Sequence, residues 1–565
     1  MNAQLESRNG LVVPVWLVWL IAIGFVFGGL GSFGILDNNE GLYAEIPREM
    51  MASHDWHLWI IPHLNGLPYM EKPPLLYWLT ALSFALFGES EWSARLVPAL
   101  SALGCVALLL RFGVATRRPL AGRIAGIVFI TGMGVTAMSH VLMFDMLLTV
   151  MLTGALMHAW RYLADGETAQ LRIAYGFLAF ALLAKGLVAV VLFGLVVAAF
   201  TVLDTRSPIE LLRAIGKWFR PSALAVFVAI AAPWHIVASM VEPIFAWFYF
   251  INEHVLRFLG KREPHDYYAG AWWYYLPRMV LYLFPWSFLL LGLVARRAAS
   301  SDWQADSQST RLGRFLLLAW LMPLLFFSIS SAKANYYLIA VMPFAAFHLA
   351  TVLEARDFLT PARRAMPALI VAALALIALA VAARRLDPAA SSLVVMGMTQ
   401  RDFVLAVLAA ASAVGLVTAF ASWRTVRGGA VGYLMLATLV AFVLGSLLPA
   451  LEPTISTRQT ARYLQEALPR HAVYLYRNFE EQSSLPFYLE HAVPVVDMHS
   501  NDLYWGNRLR SNDIAVTDQH FQQRVREGKI AIVVMDRQLK EFMAKAYAGA
   551  FSGQKHIGNS TIFFN

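Results

Sequence analysis

One cysteine in 565 residues, Cys105, lies inside an apolar run with no partner in the chain, which excludes a disulfide-built scaffold. Charge is scarce too: Asp, Glu, Lys and Arg make up 14% of the chain, against about 25% in soluble domains. With 59% apolar residues and a mean hydropathy of +0.57, the chain has too little polar surface to cover itself in water. An ordinary soluble enzyme and a disordered chain are both excluded. The 45 Lys and Arg exceed the 36 Asp and Glu by nine. They fall in short clusters between apolar runs, without a basic stripe interleaved with aromatics, so no nucleic-acid partner is expected.

What the chain has instead is long apolar runs, of the roughly 20 residues that a membrane helix needs. They lie near 12–34, 93–115, 121–139, 141–163, 171–185, 187–204, 219–240, 274–296, 312–330, 335–353, 366–384, 401–423 and 430–449. The expected fold is therefore mainly α, a polytopic bundle of about thirteen transmembrane helices over residues 1–450. The first run is too long for the apolar region of a signal peptide and has no small-residue cleavage site. Segment 73–88 is apolar but short, opens on Pro73-Pro74 and ends against Glu89 and Glu91, so it reads as interfacial or re-entrant. With the N-terminus inside, most short-loop Lys and Arg fall on the cytoplasmic side, among them Arg117, Arg118, Arg213, Lys217, Arg296, Arg297, Arg356 and Arg363. Lys185, Lys333 and Arg384-Arg385 are the main exceptions. Residues 451–565 change character: VYLY (473–476), VPVVD (493–497), IAIVVM (530–535) and TIFF (561–564) read as strands, with helices near 458–467, 518–527 and 538–548. A small α/β domain outside the membrane is expected.

On this topology the ionisable residues gather on one face. The first outside loop, 35–92, carries Asp37, Glu40, Glu45, Glu71 and Lys72 among many aromatics; later turns add Asp145, Lys185, Glu253, His254, Arg257, Lys333 and Tyr337. A carboxylate such as Asp145 in an apolar helix costs about 2.5–3.5 kcal/mol on insertion scales and needs a reason. Taken singly, Lys185 and Lys333 read equally as snorkelling lysines, and Asp145 as interhelical glue. Their convergence points to an active site at the outer lipid interface, with cations for a phosphate and carboxylates for a proton or a sugar hydroxyl.

At these residues the chain resembles the lipid-linked-sugar glycosyltransferases of the C-type fold, the protein O-mannosyltransferase and aminoarabinose (lipid A) transferase family. Asn39-Glu40-Gly41-Leu42-Tyr43-Ala44-Glu45-Ile46 with Arg48-Glu49-Met50 is similar to one signature of that family, and Pro68-Tyr69-Met70-Glu71-Lys72-Pro73 to a second; Ala94-Arg95-Leu96 is similar to their continuation. The resemblance implies a bacterial inner-membrane enzyme with a cytoplasmic N-terminus and a periplasmic C-terminal domain. It implies inverting transfer from a polyprenyl (undecaprenyl) phosphate sugar to a lipid A-like, protein or other exported acceptor. Lys72 and Arg257 would grip the donor phosphate with Tyr69 beside it, Tyr43, Lys185, Lys333 and Tyr337 would complete the donor site, and Asp145 would organise the sugar or acceptor. The family has an aspartate where this chain has Asn39, which cannot accept a proton. Glu40, then Asp37, is the expected replacement, unless the acceptor is already anionic and Asn39 only positions it. Leu42 stands where an arginine is common, and 57–59 read as an insertion, so the sugar is left open. No cofactor is required by this chemistry; a divalent metal on Glu71, Glu253 and His254 is the conceivable addition. The rivals are protein O-mannosylation, a transporter or lipid flippase, and an inactive accessory subunit.

Overall fold

In lipid a backbone N–H or C=O has no water to bond, so long apolar runs fold as helices that satisfy these groups internally. The computed structural model describes residues 13–265, 270–290, 307–355, 359–384, 393–510 and 513–565. It is a mainly helical, multi-pass membrane fold. Among the described residues, seven helices are long and apolar enough to cross a membrane, Leu96–Ala115, Pro221–Val241, Gln400–Arg424 and Val426–Ile455 among them.

Thirteen unbroken helices are not what forms. The run at 121–139 divides at Thr131-Gly132 into Pro119–Ile130 and Met133–Met138. The run at 274–296 is helical over Tyr275–Tyr282 and turns at Phe284-Pro285; its end, with Arg296 and Arg297, lies outside the described residues, as do Arg356 and Arg385. Helix Leu75–Phe87 has 13 residues, about 20 Å against a hydrocarbon core of about 30 Å. Val15–Phe27 is equally short, so length does not distinguish the two. Helices Phe144–Asp165 and Thr168–Lys185 are joined by two residues. Such a connection makes them antiparallel neighbours and brings Asp145 and Lys185 to the same end of the pair.

That end is fixed by a fully buried charge pair. Glu40, 1% exposed, and Arg95, fully buried, meet through two 2.8 Å bonds, from Nε to Oε1 and from Nη2 to Oε2. The remaining capacity of both groups goes to backbone. Glu40 accepts from the N–H of Leu36 and Leu142, both at 2.8 Å, and Arg95 donates to the carbonyls of Leu30, Phe33 and Gly34. The Phe33 ring lies 3.8 Å from the guanidinium carbon. One ion pair thus joins the first loop, helix Asn39–Ala52, the start of helix Leu96–Ala115 and the segment leading into Asp145.

Helix Val426–Ile455 runs straight through residue 450, and the strands and helices that follow it form the C-terminal domain. Its six-stranded sheet has the order Ala515–Val516, Val495–Val496, Ala472–Tyr476, Ile530–Met535, Ser560–Phe564, Gly553–Ile557. The first four strands are parallel, with Ala472 opposite Ile530; the last two form an antiparallel hairpin, with Ser560 opposite Ile557, that also pairs antiparallel with Ile530–Met535, with Ser560 opposite Met535. Ala515–Val516 and Gly553–Ile557 are strands the sequence pattern did not reveal, being respectively too short and too polar. Helices Arg458–Ala467 and Asp518–Glu527 fall where the pattern put them. The domain is stitched to the first loop: Asp37 Oδ1 accepts from Ser484 N–H at 3.0 Å and its hydroxyl at 2.7 Å. Asn38 N–H donates to the Glu480 carbonyl at 2.8 Å, and Asn65 exchanges two bonds with the backbone of Val493. A side chain at Gly41 would come within 2.4 Å of Ser483, so only glycine allows this approach.

Glu40→Ala should strand Arg95 without a counter-charge and cost about 3–5 kcal/mol, read as a large drop in the thermal unfolding midpoint in detergent. An unchanged midpoint would show that the pair carries no stability. Burial raises the Asp37 carboxyl from 3.8 to about 7. The folded state then holds more protons between those values, and stability falls as pH rises through that window. Asp37→Asn keeps an acceptor for Ser484 but removes the charge. It should unfold at a higher temperature than wild type near pH 8 and match it near pH 4; parallel behaviour at both would refute the assignment.

Candidate active site

A cavity of about 360 Å³ opens where the first loop, the paired ends of Phe144–Asp165 and Thr168–Lys185, the segment after Pro221–Val241, and the C-terminal domain meet. On the membrane side it is lined by Lys72, Arg257, Arg262, Glu71, Asp145 and Lys185, with Asn39, Tyr43, Tyr69, Tyr336 and Tyr337 between them. The ten-residue π-helix Trp247–Leu256 carries Glu253 and leads directly into Arg257. Wide helical turns of this kind are frequent at functional sites.

Three cations and two carboxylates form one network. Arg262 bridges the two acids, donating to Glu71 Oε1 from Nη2 and to Glu253 Oε1 from Nε. Arg257 donates to Glu253 Oε2 at 3.1 Å. Lys72 Nζ stands 3.5 Å from Glu71 Oε2 and 4.0 Å from Glu253 Oε2, and Tyr69 donates to Glu71 Oε2 at 3.4 Å. Burial works against the Glu253 charge, but Arg262, Arg257 and Lys72 outweigh it and hold that carboxyl below its ordinary value. Lys72, Arg257 and Arg262 all face the cavity.

Beside it, Asp145 Oδ1 is paired with Lys185, while its buried Oδ2 has no hydrogen-bond partner among the described residues. The Lys185 ammonium also lies 4.7 Å from the Tyr337 ring centre and 5.2 Å from that of Tyr336. Gly186 ends the lysine's helix at φ +89°, and a side chain there would reach within 2.4 Å of His254 Nε2. His254 receives the Leu187 N–H at 3.0 Å on Nε2 and donates from Nδ1 to the Tyr249 carbonyl at 2.6 Å. Burial lowers its pKa, matching this neutral form. The histidine is therefore a brace for the Lys185 turn.

Several sequence expectations need correcting. Glu40 does not line the cavity, since its four bonds are spent on Arg95, Leu36 and Leu142, and Asp37 is likewise committed to Ser484. Lys333 does not line the cavity either. Its buried ammonium donates to the carbonyls of Phe327, Ser328 and Ser330 at 2.9, 2.7 and 2.5 Å, closing the end of helix Ser307–Ile329 where unpaired carbonyls favour a cation. The conceivable metal set is also otherwise engaged, the two glutamates by Arg262 and His254 by backbone. No group of three or more His, Cys, Asp or Glu among the described residues is placed to hold a metal ion.

The sequence reading missed Arg262 and the whole wall contributed by the C-terminal domain. Asn478 and Glu480 follow strand Ala472–Tyr476, Asn501 and Asp502 follow Val495–Val496, and Arg537 follows Ile530–Met535. These are the carboxyl ends of three adjacent parallel strands, the edge at which open α/β sheets bind ligands. That rule, applied to the strands already legible in the sequence, would have found this wall. Burial, then Glu71 and Glu480, pushes the Asp502 carboxyl well above its usual range.

Comparison with known proteins agrees with this architecture. Residues 71–237 match the sequence model of the family described as dolichyl-phosphate-mannose-protein mannosyltransferase. The chain superposes on the crystal structure of ArnT from Cupriavidus metallidurans bound to undecaprenyl phosphate with a TM-score of 0.77 at 22% identity, covering 97% of each chain. Its apo state gives 0.76 at 21%. This chain has the C-type glycosyltransferase fold. Its sequence is 31% identical over 335 residues to the undecaprenyl phosphate-alpha-4-amino-4-deoxy-L-arabinose arabinosyl transferase of Aeromonas salmonicida. It is 32% identical over 338 residues to the protein of that name from Shewanella sediminis. The matched region spans 57% of the length of each of these two relatives.

Within this fold the two lysines should part company. Lys333→Met removes three carbonyl bonds and should lower the unfolding midpoint, whereas Lys72→Met, which loses only contacts of 3.5 and 4.0 Å to Glu71 and Glu253, should leave it nearly unchanged. The reverse order in a thermal unfolding series would overturn the division.

Proposed function

We propose that the chain is an inverting glycosyltransferase that takes a sugar from polyprenyl (undecaprenyl) phosphate and delivers it to a lipid A-like acceptor at the periplasmic face of a bacterial inner membrane. The observation that carries this is the convergence of Lys72, Arg257 and Arg262 on one cavity, beside an Asp145 oxygen with no hydrogen-bond partner among the described residues. A phosphodiester suits these cations, and the Asp145 oxygen can take a hydroxyl of the sugar or orient the acceptor. The acceptor oxygen attacks the anomeric carbon as the bond to the phosphate oxygen breaks, and polyprenyl phosphate leaves with the bonding electrons. Negative charge grows on the leaving group, where fixed cations stabilise the transition state beyond the ground state.

A lipid phosphate is favoured over a protein hydroxyl as acceptor. Asn39 occupies the cavity position nearest Tyr43, whose hydroxyl donates to its Oδ1 at 3.3 Å, and Glu40 is held away by Arg95. An anionic acceptor needs no base, and a hydroxyl does. The excess of Lys and Arg in alternate loops supports a cytoplasmic N-terminus and a periplasmic C-terminal domain, with helix 75–87 in the outer interface.

Purified protein should move radiolabelled sugar from polyprenyl phosphate to lipid A. Lys72→Met and Asp145→Asn should each cut the rate by about a hundredfold or more. A Lys72→Met protein working at the wild-type rate would sink the phosphate-site assignment, and preferential labelling of a serine or threonine peptide would favour protein O-mannosylation.

A further inference from the structure

Helix Pro208–Trp218, between Val188–Asp204 and Pro221–Val241, takes no part in the site described above. Ser207 caps its first turn, accepting the Glu210 N–H at 3.2 Å, and Pro208 occupies the first helical position. Its far end is pinned to the bundle: Tyr162 and Tyr175 donate to the carbonyls of Lys217 and Trp218 at 2.9 and 2.7 Å, and the buried Trp218 packs against Phe193. The helix therefore has a fixed orientation, and 100° per residue divides its surface into three strips. Leu211 and Trp218 face the protein. Ile209, Leu212 and Phe219 form an apolar strip that is 63, 70 and 63% exposed. Arg206, Arg213, Lys217 and Arg220 form an exposed basic edge beside it, with Glu210 the one acidic residue between 206 and 220.

We infer that this helix is an anionic-lipid site: it lies in the membrane surface with Ile209, Leu212 and Phe219 in the acyl boundary and its basic edge on the phosphate groups of anionic phospholipids. An apolar strip held rigidly outward is costly in water and is matched by a bilayer. Both neighbouring helices end within four residues of it, which places it at the membrane edge. A net charge of three across 206–220 selects acidic headgroups. The inference needs the membrane fold alone and is independent of the proposed transferase activity and of the side on which the helix lies.

The one native cysteine, Cys105, is buried, so nitroxide labels can be placed singly at Leu212→Cys and Glu210→Cys in the full chain. In bilayers of mixed phosphatidylglycerol and phosphatidylcholine, the label at 212 should be shielded from a water-soluble relaxation agent and reached by oxygen, and the label at 210 should show the opposite. Equal aqueous access at both positions would overturn the inference and leave the strip to a soluble protein partner. In native mass spectrometry, the combined Arg213→Gln, Lys217→Gln, Arg220→Gln variant should retain phosphatidylglycerol about tenfold less than wild type. Equal retention by both proteins, or equal retention of phosphatidylglycerol and phosphatidylcholine by wild type, would remove the charge-selective part.

Discussion

The pairing of Glu40 with Arg95 is the constraint on which the rest of the site depends. A buried ion pair contributes little net stability when compared with apolar residues of the same volume, but its geometry is demanding. Here two bonds join the two side chains to each other, and the others go to the backbone of residues 30–36 and of Leu142. The pair sets the height at which Asn39 enters the cavity. Through Leu142 N–H it also sets the start of the helix whose second residue is Asp145. Misplacing a reacting group by about 1 Å costs two orders of magnitude in rate. A carboxylate adjacent to the site therefore serves the chemistry by position, without touching the reactants.

The second organising feature is the seam between the bundle and the C-terminal sheet. Three parallel strands point their carboxyl ends at the cavity, and the loops that follow them deliver polar groups there without bending any strand. The same loops tie the sheet down, since Glu480 accepts Asn38 N–H on its carbonyl and Ser500 on its carboxylate at 2.7 Å. The domain is thus a wall of the site, and its docking contacts and its cavity residues alternate along the same short segments.

Much of this was legible in the sequence, and the failures have physical reasons. Lys72, Tyr69, Asp145, Lys185 and Arg257 reach the cavity as expected, because a charged or phenolic group at the end of an apolar run has few places to go. The boundaries of Arg458–Ala467 and Asp518–Glu527 were readable because caps and polar periodicity mark them. Glu40 and Lys333 were misplaced because sequence gives the depth of a charge but not its partner, and both found theirs inside the protein. Arg262 was overlooked because Lys72 and Arg257 already match Glu71 and Glu253 in number, and nothing in the sequence marks the guanidinium that bridges the two acids.

The electrostatic balance of the cavity gives the proposed reaction its direction. Lys72, Arg257 and Arg262 stand together in a region of low dielectric, where fixed charges act strongly. In the proposed reaction the phosphate of a phosphodiester donor lies among them. As the bond to the sugar breaks, the phosphate gains further negative charge while the sugar becomes electron-poor, and the two changes fall on opposite sides of the same cavity. The cations of 72, 257 and 262 meet the first, and the Asp145 oxygen that Lys185 leaves unpaired is available to the second. Because the protein charges are held by Arg262 and Lys185 before the donor arrives, little reorganisation remains to be done during the reaction, which is the condition under which fixed charges accelerate rather than merely bind.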